Sequence, residues 1–204
     1  LRKAERGKLF LDGEEMVNRQ PSFYIEKGIS HIPEDRLTTG LALKWSLKKN
    51  LVLKTFGKRF SSHGFVNEKK MNEFWEKARN EYQIKAISGE DAARGLSGGN
   101  QQKVVIGKWL ARDLRVLLID EPTAGIDIGA KDEIYKILDN LAEQGVSILL
   151  VSSDLQELLR VSHRILVFRK GHIQKEFDSG VITQEDILMA ASGIDTAKKE
   201  EKNT

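Results

Sequence analysis

Apolar residues recur along this chain in two rhythms, and the changes between them predict its elements. Short aliphatic runs of strand length occur at Gly28–Ile32, Arg115–Ile119 and Val146–Val151, and the last two read as buried strands. Elsewhere the spacing shifts to three and four. Met71, Phe74, Ala78 and Tyr82 mark one helix, while Val105 and Trp109 with the neighbouring Ile106 and Leu110 give a helix over about residues 100–111 a single apolar stripe. Ile134, Ile137, Leu138 and Leu141 share one face of a helix over 131–144 that stops at Gly145, a natural C-cap. Strands alternating with helices of this length predict an α/β fold with a mostly parallel sheet flanked by helices. The stretch from Thr38 to Gly95 reads as helical and sets off a helical subdomain over about residues 38–112.

Both ends carry antiparallel signals. Lys8–Leu11 followed by Asp12-Gly13 reads as a strand entering a tight turn, and Ser22–Lys27 as a short helix after Pro21. Near the other end, Arg164–Phe168, the turn Lys170-Gly171 and His172–Phe177 predict a hairpin. Thr183 with Asp186 three residues on has the form of a capping box opening a last helix. One domain over residues 1–193 is expected, followed by a polar, disordered tail over 194–204. No internal repeat is visible.

Composition narrows little. The formal net charge of +3 arises from 33 Lys and Arg nearly matched by 30 Asp and Glu, which gives no reason to expect a nucleic-acid partner. The absence of cysteine excludes a disulfide framework, a thiol nucleophile and a Cys-based zinc site, and it fits the cytoplasm. The longest apolar runs fall far short of the roughly 20 residues that a membrane helix needs. Leu1–Gly7 is charged and unlike a signal peptide; it reads as a fragment boundary. His31, His63, His163 and His172 show no metal-ligand spacing. Lys44, Lys48, Lys49, Lys54, Lys58 and Arg59 read as a solvated helical face rather than a track for RNA or anionic lipid, and Phe74 and Trp75 as core or interface.

The residues with chemistry lie in the middle of the chain. Leu96-Ser97-Gly98-Gly99-Asn100-Gln101-Gln102-Lys103 places a glycine pair where a helix begins, with a hydroxyl before it and amides after it. Glycines let phosphate oxygens approach the backbone, and the first helical N–H groups have no intrahelical acceptor, so an anion is favoured there. Alone, such a segment is an ordinary glycine turn capping a helix. It is followed, one helix on, by a buried strand that delivers Asp120-Glu121-Pro122-Thr123 and then Ala124-Gly125-Ile126-Asp127 to its carboxyl edge, where nucleotides bind in open α/β sheets. Adjacent carboxylates there suit a division of labour in which Asp120 holds Mg2+ through water and Glu121 orients and deprotonates an attacking water.

These two segments resemble the signature and Walker B motifs of ABC transporter ATPases, and the resemblance extends from about Lys8 to Gly193. The finer likeness is to the second nucleotide-binding domain of tandem ATPases that power uptake of ribose, galactosides and related sugars or nucleosides. It is carried by Ile32-Pro33-Glu34-Asp35-Arg36, by the segment from Leu96 to Lys103, and by Val151-Ser152-Ser153-Asp154-Leu155. The resemblance implies a P-loop NTPase-like fold, ATP and Mg2+ as ligands, and a peripheral place on the cytoplasmic face of the membrane. It implies as partners a second nucleotide-binding domain, transmembrane permease subunits and, indirectly, a periplasmic or lipoprotein binding protein, with no nucleic acid. By the family pattern Ser97, Gly98, Gly99, Asn100 and Gln101 cap the ATP of the partner domain. Glu34 takes the place of a glutamine that touches magnesium, Asp127 is the aspartate of the dimer-contact loop, and Ser153 stands where a histidine is usual. An aspartate at Gly99 would set a carboxylate against the partner's γ-phosphate and remove a glycine conformation.

Two departures bear on mechanism. No Gly-x-x-x-x-Gly-Lys-Ser/Thr occurs in these 204 residues, so the Walker A cradle for the α and β phosphates is missing and the fragment alone is expected to be inactive. Ser153 cannot place an imidazole at the γ-phosphate. Two other readings stay open on sequence alone: a soluble ABC ATPase acting on nucleic acid or ribosomes, and a non-catalytic regulatory half.

Overall fold

The computed structural model describes residues 3–62, 65–109, 113–178, 180 and 182–193; the expected tail over 194–204, Leu110 and His63 lie outside them. In chain order, β1 (Phe10–Leu11) turns back through Asp12-Gly13, both at positive φ, into β2 (Glu14–Glu15). The helix α1 (Pro21–Glu26) opens on proline, whose missing N–H costs nothing in a first turn, and leads to β3 (Ile29–Ile32). The helical region follows with α2 (Leu47–Val52) and, after a short antiparallel pair, α3 (Glu68–Glu81), capped where Asn67 Oδ1 accepts from the Lys70 N–H at 3.0 Å. That pair, β4 (Ser61–Ser62) and β5 (Phe65–Val66), is a strand interruption of an otherwise helical expectation. Two-residue strands carry no readable period. Then come α4 (Gly98–Trp109), β6 (Val116–Asp120), α5 (Ile128–Glu143), β7 (Ser147–Val151), α6 (Leu155–Val161), β8 (Arg164–Arg169), β9 (His172–Asp178) and α7 (Gln184–Ser192).

The described residues form two compact units that divide between residues 149 and 150. In the first, β3 and β6 pair in parallel, Ile29 opposite Val116 through to Ile32 opposite Ile119, and β7 is the third strand of the sheet. Ile32, Leu117 and Ile119 are buried, as a strand flanked by helices requires. The third strand departs from the buried strand that its composition predicts: Leu149 is 57% and Val151 56% exposed. Its side chains alternate between the two faces, and Leu149 and Val151 stand on the exposed one at this edge of the sheet. The helix α5 buries the stripe read from sequence, Ile134, Ile137, Leu138 and Leu141, and Gly145 ends it at φ +87 with its N–H bonded to the Ala142 carbonyl. In the second unit, β8 and β9 form the expected hairpin. Ile165 and Val167 pack there with Ile187 and Ala190 of α7, whose N-terminus carries the Thr183–Asp186 capping box.

The helix α4 decides how the first unit packs. Sequence gives it one apolar stripe; instead Gly99 and every residue from Gln101 to Lys108 are buried, polar ones included. Gln101, Lys103 and Lys108 each have a partner, as burial demands. Lys103, fully buried, donates to the Gln83 carbonyl at 2.9 Å and ion-pairs with Glu133 of α5, which also meets Lys85 at 3.1 Å. The Lys103 ammonium, then Lys85, holds the Glu133 carboxyl below the usual carboxylate value. Gln83 sits at φ +50, turning its carbonyl to that ammonium. The Lys108 ammonium donates to the Gly40 carbonyl. Close approach needs small residues: a Cβ on Gly107 would lie 2.9 Å from Leu51 Cδ2 of α2. A Cβ on Gly99 would fall inside the van der Waals shell of Ala130 Cβ on α5. Gly99 does not have the positive φ expected of it; what it supplies is room.

Of the basic cluster, Lys44, Lys49, Lys54 and Arg59 are exposed, as a solvated face requires, and Lys48 departs from that reading. Lys48 is only 6% exposed and lies between Glu68, at 2.7 Å, and Glu90, with Asn72 Oδ1 at 3.1 Å. Lys54 stands 4.5 Å from the centre of the Trp109 ring, and Arg59 5.2 Å from that of Phe74. Ammonium and guanidinium groups on long stems can be buried when carboxylates or aromatic faces receive them, a pairing that charge counting along a sequence does not reveal.

Two outcomes test this packing. Burial, with the charge of Lys54 beside it, pushes the Lys108 ammonium down to about 8 from 10.5, so between those values the unfolded chain holds more protons than the folded one. Stability should therefore rise from pH 7.5 to 9.5 by about 1–2 kcal/mol through this group, and urea melts of Lys108→Met should lack that rise. The window stops short of the range where Tyr82, pushed up by burial, adds the opposite slope. Gly99→Ala should cost about 1–3 kcal/mol by overpacking. Adding Ala130→Gly should recover part of it, seen as a double mutant more stable than the sum of the two single changes requires.

Candidate functional site

The in-register pairing of Ile32 with Ile119 brings the ends of β3 and β6 to one sheet edge, from which Glu34 and the pair Asp120-Glu121 leave together. Glu34 is exposed; Asp120 closes β6 half-buried. Glu121, also half-buried, has φ +44, a left-handed conformation that costs a non-glycine residue on the order of 1–3 kcal/mol and survives only where surroundings enforce it. Buried Pro122 and Thr123 follow, and the loop is closed by Ala124 N–H to the Glu121 carbonyl at 3.2 Å and Ile126 N–H to the Thr123 carbonyl at 3.2 Å. Ile126 is buried against Gly99. Asp127 then serves as N-cap of α5, its Oδ1 accepting from the Ala130 N–H at 3.0 Å.

The glycine segment is held by its own amides. Ser97 is exposed, and its Oγ accepts from Asn100 Nδ2 at 2.9 Å. Asn100 Oδ1 accepts in turn from the Lys85 N–H at 2.8 Å, which ties the segment to the chain that leaves α3. Gln101 is buried with its Nε2 donating to the Ala93 carbonyl at 3.2 Å, so it braces the preceding turn from inside. The first N–H groups of α4 are thereby presented beside an exposed serine. Among the described residues, no group of three or more His, Asp or Glu gathers into a metal cage. A hard cation at Asp120 and Glu34 would have to take most of its ligands from water and from phosphate, the usual condition of Mg2+.

Arg36 is the residue at this site that the sequence did not single out. Asp35 forms a turn around itself, accepting from the N–H groups of Leu37 at 2.9 Å and Thr38 at 3.0 Å and from the Thr38 hydroxyl at 2.6 Å. The Thr38 bonds, hydroxyl first, keep the Asp35 carboxyl below its usual value. This turn aims Arg36 across the site, where Nη1 donates to the Ala124 carbonyl at 2.7 Å and Nη2 to that of Gly125 at 3.5 Å. A Cβ on Gly98 would lie 2.9 Å from the same Nη2. Three segments far apart in sequence therefore meet at one guanidinium. Only the run Glu34-Asp35-Arg36 hinted at it, since nothing in a linear pattern says which carbonyls an arginine will reach.

Ser153 belongs to the second unit. It is exposed in the loop after β7, next to Asp154, which caps α6 by accepting from the N–H groups of Gln156 at 3.0 Å and Glu157 at 3.2 Å.

The family model for ABC transporters matches residues 1–124. Ribose import ATP-binding protein RbsA of Streptococcus agalactiae serotype III (strain NEM316) is 42% identical over 191 residues, covering 94% of this chain and 39% of that protein. RbsA of Bacillus licheniformis is 41% identical over 189 residues, covering 93% of this chain and 38% of that protein. The chain thus spans less than half the length of these relatives. Among solved structures, an ATP-binding cassette of an ABC transporter superimposes with a TM-score of 0.75 at 22% identity, covering 98% of this chain and 77% of its own. A nucleotide-free cassette gives 0.73 at 20%, covering 96% and 76%. Such distant likenesses speak for the fold; with the family match over more than half of its residues, they place this chain in the ABC transporter family, with the fold of an ATP-binding cassette.

Proposed function

We propose that these residues form part of the second nucleotide-binding domain of an ATPase that drives uptake of a sugar or nucleoside, and that their signature segment closes over ATP held by a partner domain. The observation that carries the reading is the packing of the loop that follows the strained Glu121, through Gly125 and Ile126, against Gly98 and Gly99 at the N-terminus of α4, in a chain more than 40% identical to ribose import ATP-binding proteins. Ser97 and the backbone of Gly98 and Gly99 donate toward the γ-phosphate of the partner's nucleotide, with Asn100 and Gln101 holding that segment in shape. Asp127 positions the dimer-contact loop through its cap on α5.

On the chain's own side, Asp120 and Glu34 hold Mg2+ through water, and Glu121 orients the attacking water and takes its proton. The ion would neutralise charge developing on the phosphoryl oxygens. With Ser153 in place of an imidazole, this side lacks one electrostatic contact of a kind whose loss typically costs about 10²–10³ in rate. The assembly works at the cytoplasmic face of the membrane with permease subunits and, through them, a binding protein. Among the described residues no helix is long and apolar enough to cross a bilayer.

Two measurements test this. Titration calorimetry of the 204-residue chain should give no ATP binding at micromolar concentration, because the grip on the α and β phosphates is not encoded in it; micromolar affinity would refute the division of labour. In the intact two-domain protein, Ser97→Asp alters an exposed side chain and should abolish most turnover by setting a carboxylate against the partner's phosphate. Glu121→Gln should cost far less. Steady-state ATPase rates showing equal loss, or a larger loss from Glu121→Gln, would move the productive site to this domain's own side.

A further inference from the structure

Arg36 lies two residues beyond Glu34, yet its side chain is spent on other segments of the unit. Its guanidinium forks between the Ala124 and Gly125 carbonyls, in the loop between Glu121 and Asp127, and its Nη2 lies 2.9 Å from where a Cβ on Gly98 would stand. Its stem is held as well: a Cβ on Gly40 would lie 3.2 Å from Arg36 Cβ and 3.2 Å from Val105 Cγ2 of α4. The Nε is buried without a hydrogen bond among the described residues. A group that leaves one buried donor unused while pinning two carbonyls is fixed in place by geometry, not by exhausting its bonding capacity.

We propose that Arg36 is a positioning residue that links three parts of the proposed ATPase: the segment carrying Glu34, the loop from Glu121 to Asp127, and the first turn of α4. A shift of the Glu34 segment, rigid through the Asp35 turn, is carried by the guanidinium to the Ala124-Gly125 carbonyls and to Gly98. Glutamate at position 121 and the signature N–H groups therefore take up their working geometry together. The Arg36 fork is taken up by the Ala124 and Gly125 carbonyls, so its loss should slow the step that needs this alignment and leave nucleotide affinity alone. A planar fork matters here, since an ammonium is a point donor and cannot span two successive carbonyls while packing against Gly98.

This inference rests on the proposed ATPase reading, and the test separates the two. In the intact ATP-binding protein assembled with its permease, Arg36→Met should lower kcat about tenfold or more, the scale of lost charge-assisted hydrogen bonds, with KM for ATP within about twofold of wild type. Arg36→Lys, which keeps the charge, should fall between them with the same split between kcat and KM. An active wild type with unchanged kcat in Arg36→Met overturns the inference alone. So does a loss that follows the fraction of folded protein, with Lys no better than Met. Should Arg36→Met fail to fold, Arg36→Lys decides: a reduced kcat at unchanged KM supports the linkage, and wild-type kcat overturns it. A wild-type assembly that hydrolyses no ATP overturns the ATPase reading and this inference with it.

Discussion

The burial of a lysine-bearing helix is the constraint on which the first unit depends. The helix α4 has Lys103 and Lys108 in its interior face contacts, and neither charge can remain there without oxygen partners. Lys103 takes the Gln83 carbonyl and Glu133, which joins the end of α3 to α5; Lys108 takes the Gly40 carbonyl, which joins α4 to the chain after β3. Removing one partner would leave a buried charge, so these links fix the direction of α4 more firmly than apolar contact alone. The N-terminus of that helix is the glycine segment, and its orientation is thus set from behind, at buried positions.

Small residues complete this arrangement. Gly107 admits Leu51 of α2 and Gly99 admits Ala130 of α5, so the helix is seated at both ends by the absence of side chains. Gly98 has a third neighbour, the Arg36 guanidinium. The glycine pair accordingly answers to two demands at once. Phosphate chemistry favours an open backbone, and internal packing forbids a Cβ; the second demand acts whether or not a nucleotide is present.

A consequence follows for how the site is divided. The groups proposed to approach a nucleotide are few and exposed, among them Ser97 and Glu34, while the groups that hold their segments do so by hydrogen bonds, as do Gln101, Asn100 and Asp127. Glu121 combines the two conditions, since its backbone is in a conformation that only a well-determined loop can impose. Strain there is maintained by Pro122, Thr123 and Ile126, all buried, and by Arg36 on the loop's carbonyls.

By itself the sequence determined the elements and the chemistry that depend on local order. Periodicity found α5 and its buried stripe, dipeptides such as Asp12-Gly13 and Lys170-Gly171 located turns that need positive φ, and Thr183 with Asp186 announced a cap, because each signal is set by residues within one or two turns of each other. Contiguous motifs likewise exposed the glycine segment and the Asp120-Glu121 pair. Only the tertiary structure decided which charges were buried, that Gly99 serves by leaving room for Ala130, that β7 stands at a sheet edge, and that Arg36 gathers three segments. Those outcomes depend on groups 20 to 89 positions apart, such as Lys103 with Gln83 and Arg36 with Gly125, and a side chain's partner at that range is chosen by packing, which no local pattern of the chain records.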